Sequence, residues 1–262
     1  MKFLLSVLLT PAVVLLSSSH VLAAIKTKTI EYKQGNTVLE GYLAYDDAIK
    51  VKRPGVLVVH EWNGLQSYAK KRTEQLAKLG YVAFAADIYG KGIRPKNIEE
   101  SGKQATIYRQ DRKLLRERVK AGLQVLQQYS LTDSKRIAAI GYCFGGGTVL
   151  ELARSGANIA GVVSFHGSLD TPDPNDAKNI KAKVLVLHGA DDPFVPEQQV
   201  QAFEREMRLG NVNWQLISYG GALHAFTNPE AKNNPKGALY NASADQRSWQ
   251  AMRQFFAEIF GK

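Results

Sequence analysis

One stretch constrains the fold of this chain more than any other, the run from Arg136 to Ala153. It opens with Ile137 to Ile140, a short bounded apolar run of the kind that forms a strand buried on both faces. It continues past Phe144 with Val149, Leu150, Leu152 and Ala153 at the spacing of an amphipathic helix, which Gly156 can stop. Between the two lies Gly141-Tyr142-Cys143-Phe144-Gly145, a Gly-x-Cys-x-Gly pattern. A strand that turns sharply into a helix lifts the residue at the bend out of the chain, and its neighbours must then pack without side chains. The helix would also aim its amide end at the Cys143 sulfur, which favours thiolate over thiol. Gly-x-Cys-x-Gly alone is a weak signal; between a strand and a helix it marks Cys143 as a candidate nucleophile.

The rest of the chain repeats the strand-then-helix alternation. Lys26 to Tyr32 and Val38 to Tyr45 alternate around Gly35-Asn36, predicting an antiparallel hairpin suited to a sheet edge. Val56 to His60, Tyr81 to Ala86, Ile159 to Phe165, Lys183 to His188 and Trp214 to Tyr219 read as further strands. Helices are predicted over Tyr68 to Leu79, Pro196 to Leu209 and Ser243 to Phe260, with a long charged stretch, Lys103 to Tyr129, broken once. That alternation predicts an α/β fold: a mostly parallel central sheet with an N-terminal antiparallel hairpin and helices on both faces. No repeat or linker divides residues 24 to 262, so a single domain is expected there.

Residues 1 to 23 read differently. Lys2 precedes an apolar run from Phe3 to Leu16, then Ser17-Ser18-Ser19 and Val21-Leu22-Ala23-Ala24, the three parts of a secretory signal peptide. The run is too short and too soon interrupted for a spanning helix. Cleavage is expected after Ala23, with Ala24 the next candidate, giving a periplasmic or secreted protein without stable membrane association. The formal charge is +10, and loss of Lys2 leaves +9. The cations are scattered, with no aromatic-interleaved basic stripe, so no nucleic-acid partner is expected. The single Cys excludes an internal disulfide and a multi-cysteine metal site. Asn241-Ala242-Ser243 is a glycosylation sequon, relevant only in a host that modifies such sites.

In open α/β sheets ligands bind beyond the carboxyl ends of the strands. The polar residues at those ends are Glu61, Lys91 with Arg94, Cys143, His166, Asp192 and His224. A nucleophile, an acid and a base follow in chain order as Cys143, Asp191 or Asp192, and His224. His60, His166 and His188 also end strands but lack a ligand spacing such as His-x-x-x-His, and read as packing or turn positions; no metal is expected. Lys91 and Arg94 are candidates for gripping a substrate carboxylate.

His60-Glu61-Trp62-Asn63-Gly64, Gly141-Tyr142-Cys143-Phe144-Gly145-Gly146, Gly189-Ala190-Asp191-Asp192-Pro193-Phe194-Val195-Pro196 and Leu223-His224-Ala225-Phe226 together resemble the dienelactone hydrolases, a cysteine branch of the α/β-hydrolase fold. The resemblance spans nearly all of the chain after the leader. It implies Cys143 as nucleophile, His224 as base and Asp192, through the pattern Asp-x-Phe-Val-Pro, as the orienting carboxylate. It further implies that Glu61 holds the resting thiol by hydrogen bonding and accepts its proton when substrate arrives. The amide N–H groups of Trp62 and Phe144 would form the oxyanion hole, in keeping with the general elbow geometry. The activity implied is cofactor-free hydrolysis of small esters or lactones, with the oligomeric state open. The alternative is a non-catalytic or thiol-redox-responsive protein that retains the fold. One departure bears on specificity. Lactone-cleaving members use arginines for a substrate carboxylate, whereas this chain has Lys91 near one such place and Asn228 four residues past His224.

Overall fold

The computed structural model describes residues 24–233 and 235–261; the predicted leader, residues 1–23, lies outside them. Two long strands, β1 (Ile25–Gln34) and β2 (Thr37–Asp46), pair antiparallel through a turn in which Gly35 has φ +56°. Six more strands follow: β3 (Arg53–Val59), β4 (Val82–Ala86), β5 (Thr132–Tyr142), β6 (Gly161–Phe165), β7 (Lys183–Gly189) and β8 (Trp214–Tyr219). The sheet order is β1-β2-β4-β3-β5-β6-β7-β8, antiparallel where β2 meets β4 and parallel from β4 onward. The predicted hairpin is thus the sheet edge, and the rest is the parallel α/β sheet anticipated.

The parallel strands are buried on both faces, and their alternation sorts side chains between two cores. Leu57 and Val59 of β3 point to one side, with Val119, Val149, Leu150, Phe203 and Met207. Val56 and Val58 point to the other, with Leu76, Ile140, Phe165, Met252 and Phe256. Helices α2 (Ile98–Gln110), α3 (Arg112–Gln128), α4 (Phe144–Arg154) and α5 (Glu197–Leu209) supply apolar side chains to the first core. The second is closed by α1 (Ser67–Lys78) and α6 (Ala242–Phe260). Among the described residues no helix is long and apolar enough to cross a membrane.

The predicted break in the long helical stretch falls at Asp111. It ends α2, and its side chain accepts the Leu114 N–H to cap α3. The stretch also begins earlier than predicted. Asn97 Oδ1 accepts from the Glu100 N–H at 2.9 Å while its Nδ2 donates to Glu100 Oε1 at 2.8 Å, a reciprocal cap that starts α2 at Ile98.

Register then places the site. Val59 lies beside Gly141, Tyr142 beside Phe165, Phe165 beside Leu187, and Gly189 beside Tyr219. The carboxyl ends of β3, β5, β6, β7 and β8 therefore finish level, and the loops after them converge on one edge.

Candidate active site

Cys143 stands at the bend between β5 and α4 with φ +54° and ψ −115°. A non-glycine residue there costs on the order of 1–3 kcal/mol and persists only where its surroundings over-determine it. The surroundings do so. A Cβ on Gly141 would lie 1.9 Å from the Gly145 carbonyl oxygen, and one on Gly145 would lie 2.3 Å from that of Val59. Both contacts are with backbone, which cannot swing aside, so the spacing of glycines around the cysteine is a steric requirement.

The Cys143 sulfur is largely buried and meets His224 Nε2 at 3.1 Å. His224 Nδ1 bonds Asp192 Oδ2 at 2.7 Å, and Asp192 Oδ1 accepts the Phe194 N–H at 2.8 Å. Asp192 is buried whereas Asp191 is exposed, which separates the two candidates. Phe194 packs edge-on against the His224 ring, centroids 5.2 Å apart. His224 is held by its own loop: its N–H donates to Gly237 O and its carbonyl accepts the Leu239 N–H. Burial alone would lower the pKa of this imidazole. The charge on Cys143, the hydrogen bonds to Asp192 and Cys143, and the charge on Asp192 outweigh burial and push it up to about 10.

The amides that the resemblance implies as oxyanion donors, those of Phe144 and Trp62, have no protein acceptor among the described residues. Phe144 opens α4, so its N–H is one of the helix's first four, which lack intrahelical acceptors. The Trp62 loop is pinned by its carbonyl, which accepts the Tyr89 hydroxyl at 2.8 Å.

Glu61 lines the same cavity but not in the arrangement the resemblance implied. Its Oε2 accepts from Asn228 Nδ2 at 2.7 Å, while the partner of the sulfur is His224. Desolvation raises the Glu61 carboxyl to about 7, opposed by the Asn228 hydrogen bond and by the charges of His224 and Arg72. A neutral amide, unlike a guanidinium, leaves this buried carboxyl only partly ionised at neutral pH.

Lys91 and Arg94 do not line the cavity that holds Cys143. The Lys91 ammonium pairs with Glu31 of β1, and Arg94 donates to the carbonyls of Gly90 and Ile93 and lies 3.6 Å from Asp87 and 3.9 Å from Glu40. The hairpin edge supplies counter-charges that local sequence did not reveal. Arg94 borders a neighbouring depression that shares Trp62 and Asn63. The cation that does line the ≈ 660 Å³ cavity is Arg109, with Trp62, Phe194, Gln199 and Asn228 among the other walls. Sequence spacing gave no sign of Arg109, in the last turn of α2.

Two of the other strand-end histidines, His60 and His166, make hydrogen bonds inside the protein. His60 Nδ1 bonds the Glu61 carbonyl at 2.6 Å and Nε2 accepts the Ile88 N–H at 3.2 Å; desolvation takes its pKa down to about 4. Among the described residues no three His, Cys, Asp or Glu side chains are grouped to hold a metal ion.

Comparison with known proteins supplies the rest. The model of the dienelactone hydrolase family matches residues 39–260. The chain belongs to the dienelactone hydrolase family, and with it to enzymes that hydrolyse esters and lactones. A crystal structure of a dienelactone hydrolase-like promiscuous phosphotriesterase from metagenomic libraries is 39% identical, with a TM-score of 0.87 over 90% of this chain and 99% of that one. A provisionally named carboxymethylenebutenolidase of Synechocystis is 28% identical over 88% of this chain and 96% of its own. A protein of Bradyrhizobium, provisionally named a 2-oxo-3-(5-oxofuran-2-ylidene)propanoate lactonase, is 28% identical over 78% of this chain and 86% of its own. The dienelactone hydrolase resemblance and the α/β-hydrolase fold read from the motifs both hold.

Proposed function

We propose that this protein hydrolyses small carboxylic esters or lactones through an acyl-enzyme on Cys143. The observation that carries the proposal is the continuous contact from Asp192 through His224 to the Cys143 sulfur, at 2.7 and 3.1 Å. His224 Nε2 holds the proton given up by the Cys143 sulfur, and the sulfur attacks the substrate carbonyl carbon. The amides of Phe144 and Trp62 donate to the oxygen as it gains charge. Collapse of the tetrahedral intermediate breaks the carbon–oxygen bond, and His224 returns the proton to the leaving alkoxide. A thioester remains. Water, deprotonated by His224, attacks it and releases the acid and the free thiol. Asp192 holds the Nδ1–H tautomer and stabilises the imidazolium at each transfer.

The cavity argues for the class of substrate. Its walls join apolar Trp62, Phe194, Val195 and Pro235 to Asn63, Gln199 and Asn228, a lining suited to a compact ester with one polar end. The lactonase and butenolidase names of relatives agree with that class. Asn228, rather than an arginine, stands against Glu61, and uncharged esters are the first assay substrates. We propose also that the enzyme acts outside the cytoplasm, which rests on Lys2, the Phe3 to Leu16 run and the small residues ending at Ala23.

Because Cys143 is the sole cysteine, iodoacetamide reports on it alone. Hydrolysis of p-nitrophenyl acetate is expected to fall in proportion to carbamidomethylation, and substrate is expected to slow the labelling. Full activity in completely modified protein would refute the acyl-enzyme. Labelling indifferent to ester, with intermolecular disulfide in native extracts, would favour a thiol-redox role.

A further inference from the structure

His166 follows β6, has φ +39° and is fully buried, yet it has no part in the chemistry described above. Its hydrogen bonds have only one consistent direction. The Cys143 N–H, shared with the Phe165 carbonyl at 3.0 Å, donates to His166 Nδ1 at 3.1 Å, so that nitrogen carries no proton. The proton is therefore on Nε2, which donates to Thr227 Oγ1 at 2.7 Å. The Thr227 hydroxyl then donates to Tyr68 Oη at 2.6 Å, and Tyr68 donates to the Thr227 carbonyl at 3.1 Å. Arg72 closes the set from α1: Nε donates to Tyr68 Oη at 3.2 Å, and its terminal nitrogen donates to the Thr227 carbonyl at 2.7 Å and to Asp245 of α6. The network joins the bend that carries Cys143 to the loop that carries His224, three residues before Thr227. The His166 ring also lies against the His224 ring, centroids 5.4 Å apart, and against Phe226 at 5.1 Å.

We infer that His166 is a positioning residue: a neutral imidazole that clips the Cys143 backbone to Thr227 and so fixes the sulfur against His224. The inference rests on the acyl-enzyme reading and extends it to how the pair keeps its geometry. Neutrality is required, because a proton on Nδ1 would set a donor against the Cys143 N–H. Burial first, then the charges of His224 and Arg72, hold His166 well below the usual histidine range. No side chain other than His166 touches both catalytic loops through hydrogen bonds to Cys143 and Thr227 among the described residues.

The test compares His166→Phe, which loses both bonds, with His166→Asn, whose amide oxygen can replace Nδ1, and with Thr227→Val, which cuts the clip from the other side. Each is assayed on p-nitrophenyl acetate beside Cys143→Ala, with melting temperatures recorded. A clip predicts that His166→Phe lowers kcat about 100-fold with KM within about 3-fold, the cost of misplacing reacting groups by roughly an ångström. His166→Asn is expected to recover about 10-fold of that, and the His166→Phe/Thr227→Val double variant to be no worse than His166→Phe, since both break one link. An unchanged kcat in folded His166→Phe or Thr227→Val would overturn the clip, as would additive losses or no rescue by Asn. If Cys143→Ala is inactive while these variants keep their kcat, only the clip falls. Full hydrolysis by Cys143→Ala would remove the reading beneath it, and the clip with it.

Discussion

Two buried polar clusters flank the same helix, α4, and they differ in how their charges are matched. Behind it, Arg154 donates Nε and a terminal nitrogen to the two oxygens of Glu206 at 2.8 and 2.7 Å, and another to Glu151 at 3.0 Å. Arg116 Nε takes the second Glu151 oxygen at 2.8 Å. Glu206 faces the Arg154 guanidinium in fork geometry and Glu151 is shared between Arg154 and Arg116; burial does not discharge Arg154, whose pKa is raised by Glu206 and Glu151 against desolvation. At the amino end of α4, Glu61 faces only the amide of Asn228, and His224 lies between a sulfur and a carboxylate. Matched charges lock three helices together. Glu61, displaced by burial, and His224, displaced by the charges of Cys143 and Asp192, both open on a cavity. Burial of polar groups is common to both clusters; the void beside it sets apart the one proposed to do chemistry.

Changes on the two sides should therefore separate activity from stability. Asp192→Asn keeps the shape of the site but spoils the His224 tautomer, and kcat is expected to fall about 10³–10⁴-fold with little loss of melting temperature. Glu206→Leu removes the forked partner of the buried Arg154, leaving it Glu151, and is expected to cost about 3 kcal/mol in urea unfolding, with kcat of the folded fraction within about 2-fold. A large kcat loss in Glu206→Leu would break the contrast.

The pH dependence of stability sharpens it. Glu61 ionises near its ordinary 4.5 in the unfolded chain but at about 7 in the folded one. The native state thus holds the extra proton between those values, and stability falls as pH rises through that window, by up to about 3 kcal/mol. His224 is also raised, from 6.5 to about 10, so its contribution is complete below 6.5 and lost as pH rises towards 10. Glu61→Gln should flatten the lower limb alone, read from unfolding free energies at pH 4 to 8. The smallest effect belongs to Lys91→Ala. It cuts an exposed pair with Glu31, and both stability and kcat are expected to stay within about 0.5 kcal/mol of the parent.

What could be read from sequence depended on whether the information was local. The bend at Cys143, the apolar strands and the order Cys143, Asp192, His224 are written in short spacings, and they were legible. The choice of Asp192 over Asp191 needed the family pattern, and the fold supplies its reason: only one of the pair faces inward. The fate of Lys91 and Arg94 was hidden because their partners, Glu31 and Glu40, arrive from a hairpin about 50 to 60 residues earlier. Asn228 was visible as a departure from the family, but not as the hydrogen-bond donor to Glu61 across 167 residues. His166 read as a packing or turn residue. Its bonds to Cys143 and Thr227 depend on the register of β5 against β6 and on the loop after β8, which no local spacing encodes.

The central claim is that the Cys143 sulfur, and no other group, attacks the substrate. Purified Cys143→Ala assayed on p-nitrophenyl acetate and a simple lactone tests it most directly. The account predicts that turnover drops to the uncatalysed background while the melting temperature is retained; turnover at the parent rate would contradict it.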